Sequence, residues 1–97
     1  MKIKVVAKNY FKPEKSEDFI DLCRKLVEET LKEEGCIEYG LYQNSERSDI
    51  LSMIEEWEDE HSLKKHFESG HFKEIVPLVV DFLEKEAEVD KYSNKIL

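Results

Sequence analysis

The feature that most constrains this chain is its hydrophobic period, which changes from two to three-and-four and back twice within 97 residues. Residues 3–10 (IKVVAKNY) alternate as a strand does, with Ile3, Val5, Ala7 and Asn9 on one face and Lys4, Val6, Lys8 and Tyr10 on the other. Lys12-Pro13 breaks that run. Ser16 stands where a helix N-cap is expected, and Glu17 and Asp18 fall in the first turn, where the helix dipole favours acids. From there Phe19, Leu22, Cys23, Leu26, Val27, Thr30 and Leu31 recur at three and four, and Gly35 sits in the place of a C-terminal cap.

Residues 36–44 (CIEYGLYQN) read as a second strand with Ile37, Tyr39 and Leu41 on one face, and 50–58 (ILSMIEEWE) as a third. The polar turn between them is of hairpin length, so the two are expected to be antiparallel neighbours. Asp59 to Phe82 is helical in two pieces divided by Gly70. Leu63, His66 and Phe67 mark the first; Phe72, Ile75, Val76, Val79 and Phe82 mark the second, which Pro77 must bend or shorten because it lacks a donor. Residues 84–92 form a last strand, with Glu84, Glu86, Glu88 and Asp90 as a solvated face that discourages edge pairing, and Ala87 and Val89 behind it.

The order is β-α-β-β-α-β, an α+β ferredoxin-like arrangement over a single domain, 1–97, with the helices on one face of a four-stranded antiparallel sheet. Neighbouring strand residues are apolar on both sides (Val5 with Val6, Met53 with Ile54, Leu41 with Tyr42), so the second face is also expected to be covered. A chain this short has nothing left to cover it, which predicts a homodimer packed sheet against sheet.

Fifteen Lys+Arg against 23 Asp+Glu leave a net charge of −8, which argues against capture of nucleic acid or anionic lipid. No run approaches the roughly 20 apolar residues of a bilayer span, and the apolar stretch after Met1 is too short for a signal-peptide core. A cytoplasmic protein is expected, with Cys23 and Cys36 as free thiols acting as small hydrophobes.

Several residues carry possible chemistry. Asn9 would project an amide from an apolar strand face, to meet a substrate oxygen or to satisfy the turn at Lys12-Pro13. His66 lies on an apolar helical stripe, where a histidine is most often a satisfied core residue. His71, just after Gly70, could orient a substrate, but a cap on the second helical piece is the simpler role. Tyr39 and Trp57 suit either a core or an aromatic pocket. Glu55 shares a face with Met53 and Trp57, where a carboxylate is costly unless paired; an ion pair or a raised-pKa acid would account for it, the structural role first. His61, His66 and His71 are spaced by five, about 140° per step on a continuous helix, so they share no face and no metal site is expected.

Three segments, the strand ending in Asn9, LKEEGCIEYGLYQN (31–44) and MIEEWEDEHSLKKHFESGHF (53–72), together resemble the antibiotic-biosynthesis monooxygenase domain family of small dimeric α/β barrels. The resemblance rests on Glu-Gly-Cys followed by Tyr39, on Glu55-x-Trp57, and on His66 followed by Ser69-x-His71-Phe72. It implies a cofactor-independent monooxygenase acting on a quinol or similar phenol, with molecular oxygen as co-substrate. In that reading Asn9 positions the substrate or oxygen. Neutral His66 accepts the phenolic proton. Trp57, Phe67, Phe72, Tyr39 and His71 line the substrate pocket. Haem degradation is set aside: that branch carries an axial His shortly after the position of Phe72, where this chain has Lys73-Glu74-Ile75-Val76-Pro77-Leu78, and His66 replaces the branch's tryptophan. Two alternatives remain. One is an isomerase of a small phosphorylated sugar, held by Lys64, Lys65 and Lys73. The other is a dimeric small-ligand-binding module without catalysis, favoured if the cavity is filled by side chains and disfavoured if it is open and lined by Asn9, Trp57 and His66.

Overall fold

A computed structural model describes all residues, 1–97. Four strands and three helices alternate along the chain: β1 (Ile3–Tyr10), α1 (Ser16–Thr30), β2 (Cys36–Gln43), β3 (Ile50–Trp57), α2 (Glu60–Phe67), α3 (Gly70–Val80) and β4 (Glu88–Tyr92). The sheet is antiparallel throughout, in the order β2-β3-β1-β4. This is the ferredoxin-like α+β arrangement expected from the periodicity, with the second helical stretch divided at Glu68 and Ser69 into α2 and α3. No helix is long and apolar enough to cross a membrane.

The β1–β3 register sets one face of the sheet. Ile3 lies opposite Trp57, Val5 opposite Glu55, Ala7 opposite Met53 and Asn9 opposite Leu51. Because side chains alternate along a strand, these eight point the same way, toward the helices. Phe19, Cys23, Leu26 and Thr30 of α1, spaced four, three and four, come down on them, with Leu63 of α2 and Ile75 and Val79 of α3. The opposite face carries Val6 and Ile54, half-buried, with Tyr42 and Tyr92 exposed, and no helix covers it.

Local details depart from the sequence pattern where one contact overrides it. Ser16 is already helical and makes no side-chain cap, because Pro13–Lys15 forms a 3₁₀ turn that brings the chain into helical geometry one step earlier. Helix α1 ends at Thr30, and Gly35 instead closes the following turn at φ +87°, where a Cβ would collide with the side chain of Ser62. Ile37 does not share a face with Tyr39 and Leu41. A bulge between Cys36 and Glu38 inserts one residue, so Cys36 and Tyr39 face inward opposite Trp57 and Glu55 while Ile37 is exposed. Helix α3 runs through Pro77 to Val80. The last strand starts at Glu88 rather than Glu84: Phe11 bridges Leu83, and residues 84–87 then cross the end of the sheet before pairing begins at Lys8. Glu84, Glu86, Glu88 and Asp90 are all exposed.

Candidate active site

Between sheet and helices lies a cavity of about 170 Å³. Its floor is the alternating face of β1 and β3, with Val5, Ala7, Met53, Asn9 and Glu55. Its roof is Cys23 and Leu26 of α1, Phe67 of α2, and Phe72, Val76 and Val79 of α3. Val80 and Val89, both more than half exposed, lie on its open side. Asn9 and Glu55 are the two strongly polar side chains in an otherwise aliphatic and aromatic lining. Tyr39 supplies its ring, and its hydroxyl lies near Thr30. An apolar chamber with a few convergent polar groups is the usual form of a small-molecule site.

The two polar groups are both buried, and both have capacity left over. Asn9 Nδ2 donates to the carbonyls of Ala7 and Leu51, each at 3.2 Å, so the amide is anchored to its own sheet and not to the Lys12-Pro13 turn. With both amide hydrogens used, its Oδ1 is an acceptor. Glu55 Oε1 accepts from Trp57 Nε1 at 3.0 Å, and no other protein donor reaches the carboxylate. Burial pushes this carboxyl up to about 7; the Trp57 hydrogen bond opposes the shift and the charge of Glu33 adds to it. Burial, reinforced by Glu55, also lifts the Tyr39 phenol far above its ordinary value, so it stays protonated. The thiols are inert for the same reason: burial raises Cys23 to about 12 and Cys36 to about 11.

A second polar cluster lies behind the aromatic wall. His66 is 1% exposed, with its ring centroid 4.7 Å from Trp57, 5.0 Å from Phe72 and 5.3 Å from Tyr39. His66 Nδ1 and His71 Nε2 each lie 2.7 Å from Glu33 Oε2. A carboxylate oxygen accepts, so both imidazoles donate to it. Burial lowers the His66 pKa, opposed by Glu33, which keeps the ring neutral at neutral pH. Ser69, and not His71, caps α3: its Oγ accepts from Phe72 N at 3.3 Å, because a short hydroxyl at the N-cap reaches the third amide and an imidazole inside the first turn does not.

The structure therefore brings Asn9, Tyr39, Phe67 and Phe72 to the cavity and leaves His66, His71 and Trp57 outside its lining. Glu55 joins the first group, and the sequence signal for it was its place between Met53 and Trp57 on the inward face. Glu33 carried no such signal, since its partners are 33 and 38 residues away in sequence. Nor does five-residue spacing keep His66 and His71 apart, although His61 is exposed and outside their cluster. The break at Glu68 and Ser69 removes the continuous helix, and Glu33, His66 and His71 place one ligand-type atom each within 4.8 Å of one another. Two imidazoles and a carboxylate are donors a transition metal accepts; here the three side chains bond one another. Lys64, Lys65 and Lys73 are exposed and absent from the cavity.

Comparison with known proteins agrees with the geometry. A conserved protein from Methanosarcina mazei Go1 has a crystal structure that superposes with a TM-score of 0.96 at 57% identity, over 98% of this chain and 94% of that one. The crystal structure of an antibiotic biosynthesis monooxygenase superposes at 0.90 with 31% identity, over 96% and 98% of the two chains. An uncharacterized protein of Synechocystis, sll1783, is 36% identical over 89 residues, 91% of this chain; the chain spans 60% of that relative's length. The family model described as antibiotic biosynthesis monooxygenase matches residues 2–78. With its ferredoxin-like sheet and a cavity between sheet and helices, the chain belongs to the antibiotic biosynthesis monooxygenase family.

Proposed function

We propose that this protein is a cofactor-independent monooxygenase that oxidises a small quinol or phenol in the cavity above β1 and β3. The observation that carries this is the cavity itself: an open, apolar chamber with Asn9 and Glu55 as its strongly polar groups. The filled interior of a non-catalytic module is absent, although Trp57 and His66 stand outside the lining. The family match and the monooxygenase neighbour support the reaction class.

The chemistry needs little from the protein beyond placement and removal of a proton. A phenolate is electron-rich enough to reduce oxygen directly. For a hydroquinone the balance is one quinol plus one O₂ giving one hydroxyquinone plus one water. One oxygen atom replaces a ring hydrogen and the other leaves as water. Of the four electrons O₂ takes up, two come from the ring carbon and two from the diol, which becomes the quinone. Dry walls exclude water from the reactive intermediates, and Asn9 holds the ring in register.

The same reading places a second copy of the chain on the uncovered sheet face, where Val6, Ile54, Tyr42 and Tyr92 lie. Light scattering at micromolar concentration tests it; a monomer counts against the dimer. Oxygen uptake with a panel of reduced quinones tests the reaction. Stoichiometric uptake with formation of the hydroxyquinone is expected, and no uptake across the panel demotes the enzyme.

A further inference from the structure

We propose that Glu55 is the group that takes the phenolic proton, and that the ligand it serves is a single-ring diol donating one hydroxyl to Glu55 and the other to Asn9. This rests on the oxygenase reading above and adds to it the base and the size and donor pattern of the substrate.

Three features of the cavity lead there. The first is volume. A cavity of about 150 Å³ lined by apolar residues holds one benzene, and this one measures about 170 Å³. One substituted ring fills it; fused rings exceed that volume and would extend past Val80 and Val89 on the open side. The second is hydrogen-bond polarity. The Asn9 amide hydrogens are spent on Ala7 and Leu51, and Glu55 has one oxygen on Trp57 and the other without a partner. Both side chains therefore offer the cavity an acceptor. A site with an acceptor at each end selects a ligand with two donors, which a hydroquinone has and the oxidised quinone lacks. The third is spacing. Asn9 pairs with Leu51, while Glu55 lies four residues further along β3, roughly 13 Å at strand rise. A para-disubstituted ring with a hydrogen bond at each end bridges most of that length once the two side chains reach inward.

His66 is set back from this part: its Nδ1 donates to Glu33, which leaves Nε2 as its acceptor, but the ring lies outside the cavity lining, with Tyr39, Trp57 and Phe72 around it. Glu55 faces the cavity and titrates near neutrality. That is where a general base is most effective, ionised often enough to accept and basic enough to pull. The groups set around it are few. Val5 of β1 and Tyr39 of β2 flank it in the sheet, Cys36 and Glu33 lie beyond, and Cys23 of α1 stands above. Lys91 of β4, opposite Val5, is paired with Glu60 of α2 at 2.7 Å, and no cation acts on the Glu55 carboxylate. The transfer is a simple exchange: the phenol O–H breaks, Glu55 becomes the acid, and the phenolate keeps the electron pair.

The test is anaerobic calorimetry with three ligands of one ring size: hydroquinone, 4-methoxyphenol and 1,4-dimethoxybenzene, which offer two, one and no donors. At about pH 8, with Glu55 ionised, the wild type binds hydroquinone at least roughly tenfold tighter than the diether. At about pH 6, where Glu55 is protonated and is itself a donor, that preference shrinks. In Glu55→Gln the carbonyl stays on Trp57 and an NH₂ faces the ligand, so the preference falls to the part that Asn9 alone supplies, no longer changes between the two pH values, and oxygen uptake falls roughly 100-fold or more. A preference that ignores both pH and Glu55→Gln overturns the assignment. The wild-type pH comparison decides even if that variant does not fold. If all three ligands fail to bind, the pocket and the oxygenase reading fall together. If hydroquinone binds with the stated pattern but no oxygen is consumed, the oxygenase reading fails while Glu55 and Asn9 stand as the acceptors.

Discussion

Two polar clusters, one half-buried and one buried, lie on either side of one aromatic wall, and they are built by opposite rules. In the knot of Glu33, His66 and His71, one carboxylate oxygen takes both imidazoles at 2.7 Å. In the cavity, Glu55 has one bond, to Trp57, and an oxygen to spare. The first cluster ties the segment after α1 to the junction of α2 and α3 through two hydrogen bonds made within the fold, which stabilise it. The second keeps an incompletely satisfied acid in an apolar chamber, which destabilises the fold. Functional sites tend to be of the second kind, because a group already satisfied by the protein has nothing to offer a ligand.

Substitution of the two clusters should move stability in opposite directions. The largest effect is expected from His66→Ala. It empties a site packed by Trp57, Tyr39 and Phe72 and takes one donor from Glu33, costing about 4 kcal/mol in chemical denaturation. The wild type should also lose stability as pH falls below 6.5, because His66 binds a proton more weakly in the folded than in the unfolded chain; the variant lacks that slope. A His66→Ala protein as stable as the wild type would end the contrast.

Next comes Glu55→Gln, with the opposite sign. A carboxyl raised from 4.5 to about 7 on folding makes the wild type progressively less stable as pH rises between those values. At about pH 8 the variant should be the more stable protein by on the order of 3 kcal/mol. At about pH 4 the two should melt together, since both side chains are then neutral. Equal stability at both pH values would mean that Glu55 is solvated as ordinary surface acids are. The smallest effect belongs to Ser69→Ala, which removes the α3 cap and the hydroxyl beside His71 and should cost about 1 kcal/mol by thermal melting. Because Ser69 touches the knot and not the cavity, ligand binding should be unchanged, which sharpens the boundary between the two regions.

Much of this was legible in the chain. Strand and helix order followed from period, because alternation and three-four recurrence are written in residues next to one another. Alternation groups Asn9 with Ile3, Val5 and Ala7 on one face of β1, and the structure turns that face to the helices. What failed were features set by a partner. Ser16 lost its cap to the Pro13 turn, Ile37 was turned out by a bulge, and His71 was claimed by Glu33 and not by the helix start. Glu55 reads from its neighbours as a structural ion-pair partner first, since whether a buried carboxylate is satisfied depends on what stands opposite it.

The sequence by itself determined the antiparallel α+β framework and which residues of β1 share a face, because these depend on local spacing; which side of each strand meets the helices it left open. Which of its acids and imidazoles found partners inside the fold, and which was left facing an empty volume, was decided only by tertiary structure. Hydrogen-bond satisfaction is a matter of distances between residues far apart in the chain, and no pattern of neighbours encodes it.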